Sequence, residues 1–335
     1  MSRVFFFVVS FFLVINFTFA QNARKFFNSA MVKYSLQNFG GALTDFNKAI
    51  ELNTRFELAY LKRGITKCEI FDYAGAILDF TKVAELNPKN RAAYYNRGNA
   101  KKNSNDYTGA IEDFSKAIEL NHKDAFAFYS RGYSKNCLKD YLGAIKDYNQ
   151  VIKLKPKDAY AYYNRGLAKE NLLDLECAVE DYNKAIKINP NDENAFYKRG
   201  DIKYKLKKYT AAIADYTKAL ELNGEDEYAY LMRGLSKAEL NDYKGAIQDY
   251  NMAILYNPNY GEQAYFSRAV AKDYLKDYTA AIANFTKAIE IKPDFKEAYY
   301  YRGLIKYKIQ DTEGALSDAK KAIELGYKNS EVHSE

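Results

Sequence analysis

Eight arginines recur at a fixed interval: Arg63, Arg97, Arg131, Arg165, Arg199, Arg233, Arg268 and Arg302. The interval is 34 residues, or 35 between Arg233 and Arg268. A lysine follows each arginine four residues later, from Lys67 to Lys306, and Lys33 occupies the same place one period earlier, four residues after Ser29. Sixteen residues after each arginine stands an aspartate, such as Asp79, Asp113 or Asp147, with Asn284 as the exception and Asp45 in the earliest copy. Two cations and one carboxylate per period make ion pairing the chemistry that this chain repeats. If the columns meet on a packed face, they form a ladder of ion pairs between helices, with long basic stems covering apolar surface. Basic columns standing alone would instead line a groove that draws acidic ligands. An acid in step with nearly every arginine favours the ladder, so Asp147 and Asp181 are expected within salt-bridge reach of a basic residue.

Other chemistries find no support in the residues. His122 and His333 are the only histidines, and Cys68, Cys137 and Cys177 are spaced like no metal site. The odd cysteine count, at positions that are not equivalent in the period, favours free thiols over the one disulfide an exported chain could form. No phosphate loop or nucleophile–base pairing appears, so neither a cofactor nor a metal is expected and the chain reads as no enzyme. The formal net charge of +7 is spread over alternating charges without a basic block, which argues against nucleic acid as a partner. Asn284-Phe285-Thr286 matches a glycosylation acceptor, but it lies in a helical pattern and reads as chance.

The elements that position these columns are helices. In the unit from Arg91 to Asn121, Tyr94, Arg97, Gly98 and Lys101 recur at helical spacing, and so do Tyr107, Ala110, Ile111, Phe114, Ala117 and Ile118. Asn105-Asp106 divides the two helices and supplies an N-cap for the second. Asn121 is expected to end the second helix in the left-handed conformation. All five prolines, Pro88, Pro156, Pro190, Pro258 and Pro293, fall just after that end. The Gly98 column holds only Gly or Ala, and the Ala110 column only Ala, so the paired helices can approach closely. The pattern predicts an all-α chain, an α-solenoid of nine stacked 34-residue helix-turn-helix repeats over residues 21–327. The extra residue of the 35-residue interval is placed in the turn around Tyr260-Gly261.

An aromatic at Tyr94, Gly98 four residues on, then Ala110, Phe114, Ala117 and the proline column resemble the tetratricopeptide repeat, over about nine-tenths of the chain. The chain departs from that pattern in placing Arg before the Gly and Lys three residues after it. The resemblance implies a right-handed superhelix with a concave groove that binds proteins or peptides. On that implication the groove lining is assigned to Tyr95, Asn99, Tyr129, Tyr133, Tyr163, Tyr197 and Tyr204. Tyrosine suits an extended peptide, offering apolar area and a hydroxyl at low entropic cost. The same column could equally be filler against the neighbouring repeat. Family members that clamp chaperone tails carry a Lys in the Tyr95 column, and none of the nine copies here does.

Residues 1–20 form a separate object. Arg3 precedes an apolar run from Val4 to Ile15, and Thr18-Phe19-Ala20 places small residues where a signal peptidase reads. The chain is therefore expected to be exported, periplasmic or secreted, with Gln21 as its mature start. Phe17 and Phe19 lengthen the run, which leaves the alternative of an uncleaved anchor and a structural subunit of an envelope assembly, with a membrane contact only in that case. At the other end, Ala319 stands where the other copies have Phe or Tyr, and Lys320 and Lys321 follow. The ninth repeat is expected to be a partial cap with a smaller, more polar outer face, followed by a tail over 328–335.

Overall fold

The structure, a computed structural model, describes residues 21–258 and 261–328. The expected signal segment, Tyr260 of the expected insertion and residues 329–335 of the tail lie outside the described residues. The described residues form eighteen α-helices. The first compact unit, residues 1–173, holds α1 (residues 21–35), α2 (Phe39–Leu52), α3 (Glu57–Glu69), α4 (Tyr73–Leu86), α5 (Arg91–Asn103), α6 (Tyr107–Leu120), α7 (Ala125–Cys137), α8 (Tyr141–Leu154) and α9 (Ala159–Asn171). The second, residues 174–335, holds α10 (Leu175–Ile188), α11 (Glu193–Lys205), α12 (Tyr209–Leu222), α13 (Glu227–Glu239), α14 (Tyr243–Tyr256), α15 (Glu262–Tyr274), α16 (Tyr278–Ile291), α17 (Lys296–Lys308) and α18 (Thr312–Glu324). Within each unit a helix packs on its sequence neighbours, as in α5 on α6 and α6 on α7. The 34-residue period thus corresponds to a first and a second helix per repeat. No helix of the described residues is long and apolar enough to cross a membrane.

The turn inside each repeat reverses the chain in three residues, and one residue there adopts a left-handed conformation. In the third repeat this is Asn105, at φ 64°. The Asn105 N–H donates to the Lys102 carbonyl at 3.0 Å and the Asp106 N–H to that of Lys101 at 2.8 Å, which satisfies the last carbonyls of α5. Asp106 then caps α6 by accepting the Gly109 N–H at 2.9 Å. The left-handed residue was expected at Asn121, and this is corrected: Asn121 is extended, at φ −149° and ψ 95°. Its side chain accepts the Lys123 N–H instead, turning the chain toward the next repeat. The expectation failed because the left-handed column includes Phe71, Lys139 and Leu173, residue types that do not advertise this conformation.

The charged columns meet as a ladder. Asp147 is only 2% exposed. It accepts from Arg131 Nε at 3.0 Å and Nη2 at 2.7 Å, and pairs with Lys135 at 2.8 Å. The arrangement recurs at Asp79, Asp113, Asp215, Asp249 and Asp318. Asp181 is equally buried. In the first repeat Asp45 pairs with Lys33 at 2.6 Å and accepts from Ser29 at 2.6 Å. The third guanidinium nitrogen reaches the second helix of the preceding repeat: Arg131 Nη1 donates to Ser115 Oγ at 3.0 Å and Arg233 Nη1 to Thr217 Oγ1 at 3.2 Å. One arginine therefore ties three helices together. Each also lies over the ring three residues before it, as Arg97 does over Tyr94 at 5.5 Å.

The eighth repeat is the exception. Arg268 Nε donates to the neutral Asn284 at 2.8 Å, and Lys272 turns away to Asp277 at 2.9 Å. Burial with no carboxylate to offset it lowers the Arg268 pKa, whereas hydrogen bonding to Asp113 raises that of Arg97. Burial pushes the Asp318 carboxyl upward, but hydrogen bonds from Arg302 and Lys306 outweigh it and hold it below the ordinary range.

Close approach fixes the small columns. A Cβ on Gly98 would lie 2.8 Å from Phe114 Cε1, and one on Gly234 2.6 Å from Tyr250 Cε1. No disulfide joins Cys68, Cys137 and Cys177, and burial together with Glu69 and Asp72 pushes Cys68 up to about 11. The ninth repeat corrects the expected polar face. Ala319 leaves an apolar hollow of about 290 Å³ beside Gly303, Leu304 and Tyr307, while Leu316, Tyr307 and Ile323 are exposed. Ile323 stands exposed where its counterparts Ile118 and Ile289 are buried, because no further helix among the described residues packs on it. Tyr327 stacks on Tyr300 at 4.2 Å and closes part of that end.

Replacing Asp147 by Ala strands Arg131 and Lys135 and is expected to cost about 3–5 kcal/mol in denaturant unfolding. Asn284→Asp is expected to stabilise the protein, because it restores the missing carboxylate. Normal unfolding of the first variant, with no gain in the second, would contradict the ladder.

Candidate functional site

The side chains assigned to the groove lie on the first helices, one helical step away from the buried face. Tyr95, Tyr129, Tyr163 and Tyr197 are half-buried. The rings of Tyr95, Tyr129 and Tyr197 pack on the buried aromatics of their own second helices: Tyr95 on Phe114 at 5.9 Å, Tyr129 on Tyr148 at 5.8 Å and Tyr197 on Tyr216 at 5.7 Å. The Tyr129 hydroxyl also accepts from Asn164 Nδ2 of α9 at 2.9 Å. The column is thus largely packing, with an edge left open. Asn99 is half-buried, and Tyr133 is 39% exposed with Lys102 Nζ 5.7 Å from its ring centre.

Two hollows gather some of these residues. In the first unit Tyr129 joins Ala125, Phe126, Lys155, Asp158 and Tyr160 around about 290 Å³. Phe126 and Tyr160 are 64% and 67% exposed. Lys155 Nζ sits 3.6 Å from the Phe126 ring centre, and Asp158 caps α9 through the Ala161 N–H at 3.0 Å. In the second unit Tyr204 joins a larger hollow of about 500 Å³ with Leu235, Glu239, Tyr243, Phe266, Val270 and Tyr274 along its walls. Tyr243 and Tyr274 stack at 4.5 Å with their planes 6° apart. Tyr95, Asn99, Tyr133, Tyr163 and Tyr197 line neither hollow.

Phe126, Tyr160 and Tyr274 were missed by the sequence reading. For Phe126 and Tyr160 a signal existed: the column one turn before Tyr95 holds Ala92, Phe126, Tyr160, Asn194 and Tyr228, and large aromatics at a position that varies so widely have no packing reason to be there; Tyr274 lies outside that column.

Beneath these surfaces the buried tyrosine hydroxyls differ. Tyr216 donates to Asp201 Oδ1 at 2.8 Å, while the buried Tyr148 hydroxyl has no protein partner. Burial pushes both phenols upward. Among the described residues no group of three or more His, Cys, Asp or Glu could hold a metal ion.

Models described as tetratricopeptide repeat match residues 92–124, 193–226 and 228–260, and one described as TPR repeat matches 138–172, 174–207 and 274–310. No curated protein matches the chain. Among solved structures, the C-terminal part of a TPR repeat-containing protein from Cytophaga hutchinsonii is 21% identical, with a TM-score of 0.63, covering 71% of this chain and 97% of its own. A tetratricopeptide repeat protein from Parabacteroides merdae is 17% identical, with a TM-score of 0.56, covering 76% of this chain and 98% of its own. YrrB, described as a TPR protein with an unusual peptide-binding site, is 24% identical, with a TM-score of 0.53, covering 57% of this chain and 98% of its own. At these identities the likeness carries the fold.

Removing the unpartnered hydroxyl in Tyr148→Phe is expected to be neutral or stabilising, whereas Tyr216→Phe leaves Asp201 short of a donor and is expected to cost about 1 kcal/mol. Equal effects in thermal melts would contradict the difference between the two sites.

Proposed function

The chain belongs to the tetratricopeptide repeat family, and from that footing we propose that it is an exported, non-catalytic scaffold that binds protein or peptide partners along its first-helix faces. The observation that carries this reading is the pair of aromatic-lined hollows, with Phe126, Tyr160 and Tyr274 held out in solvent. Large apolar rings cost stability in water unless something covers them, and aromatic side chains are the usual anchors of protein interfaces. The charged columns are engaged in the ladder, which supports a binding rather than a catalytic role. The signal-like character of residues 1–20 supports export. A chain retained at the membrane by Phe17 and Phe19 would instead be a fixed subunit of an envelope assembly.

Selection of a random peptide display library on the purified protein, followed by photo-cross-linking, is expected to place bound peptides on first-helix residues around Tyr129 and Tyr204. Enrichment of no sequence, or cross-links confined to second helices, would contradict this reading. The intact mass of the native protein is expected to start at Gln21; a Met1 start supports the anchored alternative.

A further inference from the structure

We infer that the hollow of the second unit is a subsite for a cationic side chain, arginine or lysine, carried by a partner segment beside a bulky apolar residue. The inference rests on the peptide-binding reading and names the chemistry of the partner.

The hollow, at about 500 Å³, falls in the range of roughly 300–1,000 Å³ typical of ligand clefts. Its lining includes the apolar Leu235, Val270 and Phe266, which suit an aliphatic or aromatic side chain. Its charge is one-sided: among the described residues lining it, Glu239 alone is ionised. Glu239 is exposed at the end of α13, and no ion pair joins it to a cation among the described residues. It stands beside the phenols of Tyr209 and Tyr243, whose pKa values are raised first by burial and further by this carboxylate. The neighbouring Asp273 is already paired with Lys308 at 2.8 Å. The Tyr243–Tyr274 stack lies on the same wall, and Tyr274 is 63% exposed. A carboxylate and an aromatic face attract a cation by the same electrostatics, and both repel an anion.

The first unit shows this recognition satisfied from within. There Lys155 lies over the exposed Phe126 ring at 3.6 Å, close to Asp158 in the same hollow. In the second unit the ring face and the acid are present, and among the described residues no cation lies over Tyr243 or Tyr274. A partner's arginine or lysine completes the set, and the adjacent apolar residue covers Leu235 and Val270.

The test uses three fluorescein-labelled peptides, Gly-Gly-Leu-Xaa-Phe-Gly-Gly with Arg, Gln or Glu at the centre, titrated with the purified protein and with Glu239→Gln and Glu239→Lys. Thermal melts of both variants are expected to match the parent, since Glu239 is exposed. The Arg peptide is expected to bind about tenfold more tightly than the Glu peptide. In Glu239→Gln the Arg advantage is expected to shrink, and in Glu239→Lys the order is expected to invert. Equal binding of the Arg and Glu peptides, or a preference unchanged in Glu239→Lys, overturns the cationic subsite and leaves the peptide-binding reading standing. Binding of none of the three overturns both.

Discussion

The buried carboxylate that most repeats hold between an arginine and a lysine is the interaction on which the packing depends. An ionised aspartate taken out of water is costly unless its oxygens are filled, and here both are filled by a bidentate guanidinium and an ammonium. The requirement then spreads. The guanidinium must stay in register, and an aromatic ring lies against it. Its remaining nitrogen must find an acceptor, and that acceptor is the Thr, Ser or Asn that follows the buried ring on the previous second helix. An ion pair inside one repeat thereby becomes a fastening between repeats. This matters in an array, where stability is roughly a sum of repeat and nearest-neighbour terms.

The backbone is shaped to serve this contact. A tight left-handed turn brings the second helix back against the first, and Gly98 and Ala110 allow the separation at which Arg97 reaches Asp113. A hydrophobic core alone would tolerate some sliding of helix on helix, since apolar contact is not directional. The two-pronged ion pair does not tolerate it, because its hydrogen bonds weaken steeply with misalignment. The eighth repeat shows the consequence of losing the acid: with Asn284 in place, Lys272 abandons the ladder for an exposed partner.

Much of this was legible in the residues. The period, the helix pairs, the small columns and the meeting of Arg, Lys and Asp follow from spacing, because helical geometry converts spacing into shared faces. The reach of Arg131 to Ser115 was not legible, since the acceptor varies among Asn, Thr and Ser and resembles ordinary surface polarity. The left-handed turn was hidden for a related reason: residues such as Phe71 and Leu173 accept strain that the surrounding hydrogen bonds impose. The surface residues were the least legible. Tyr95 and Tyr133 are indistinguishable in type, yet one packs on Phe114 and the other is 39% exposed beside Lys102. Phe126 and Tyr160 are signalled by the variability of their column, whereas Tyr274 emerges only once its exposure is known.

A rigid frame of this kind frees its first-helix faces from structural duty, so that exposed rings and Glu239 can be used for a partner. That division holds only if the ladder carries real coupling energy. The direct measurement is a double-mutant cycle by denaturant unfolding on Arg199→Met and Asp215→Leu. Arg199→Met leaves Asp215 with Lys203 alone, Asp215→Leu strands both cations, and the double variant leaves only Lys203 unpaired. A coupling of at least about 1 kcal/mol, with the double variant clearly more stable than the sum of the two losses implies, is the predicted result. Losses that simply add would contradict the account.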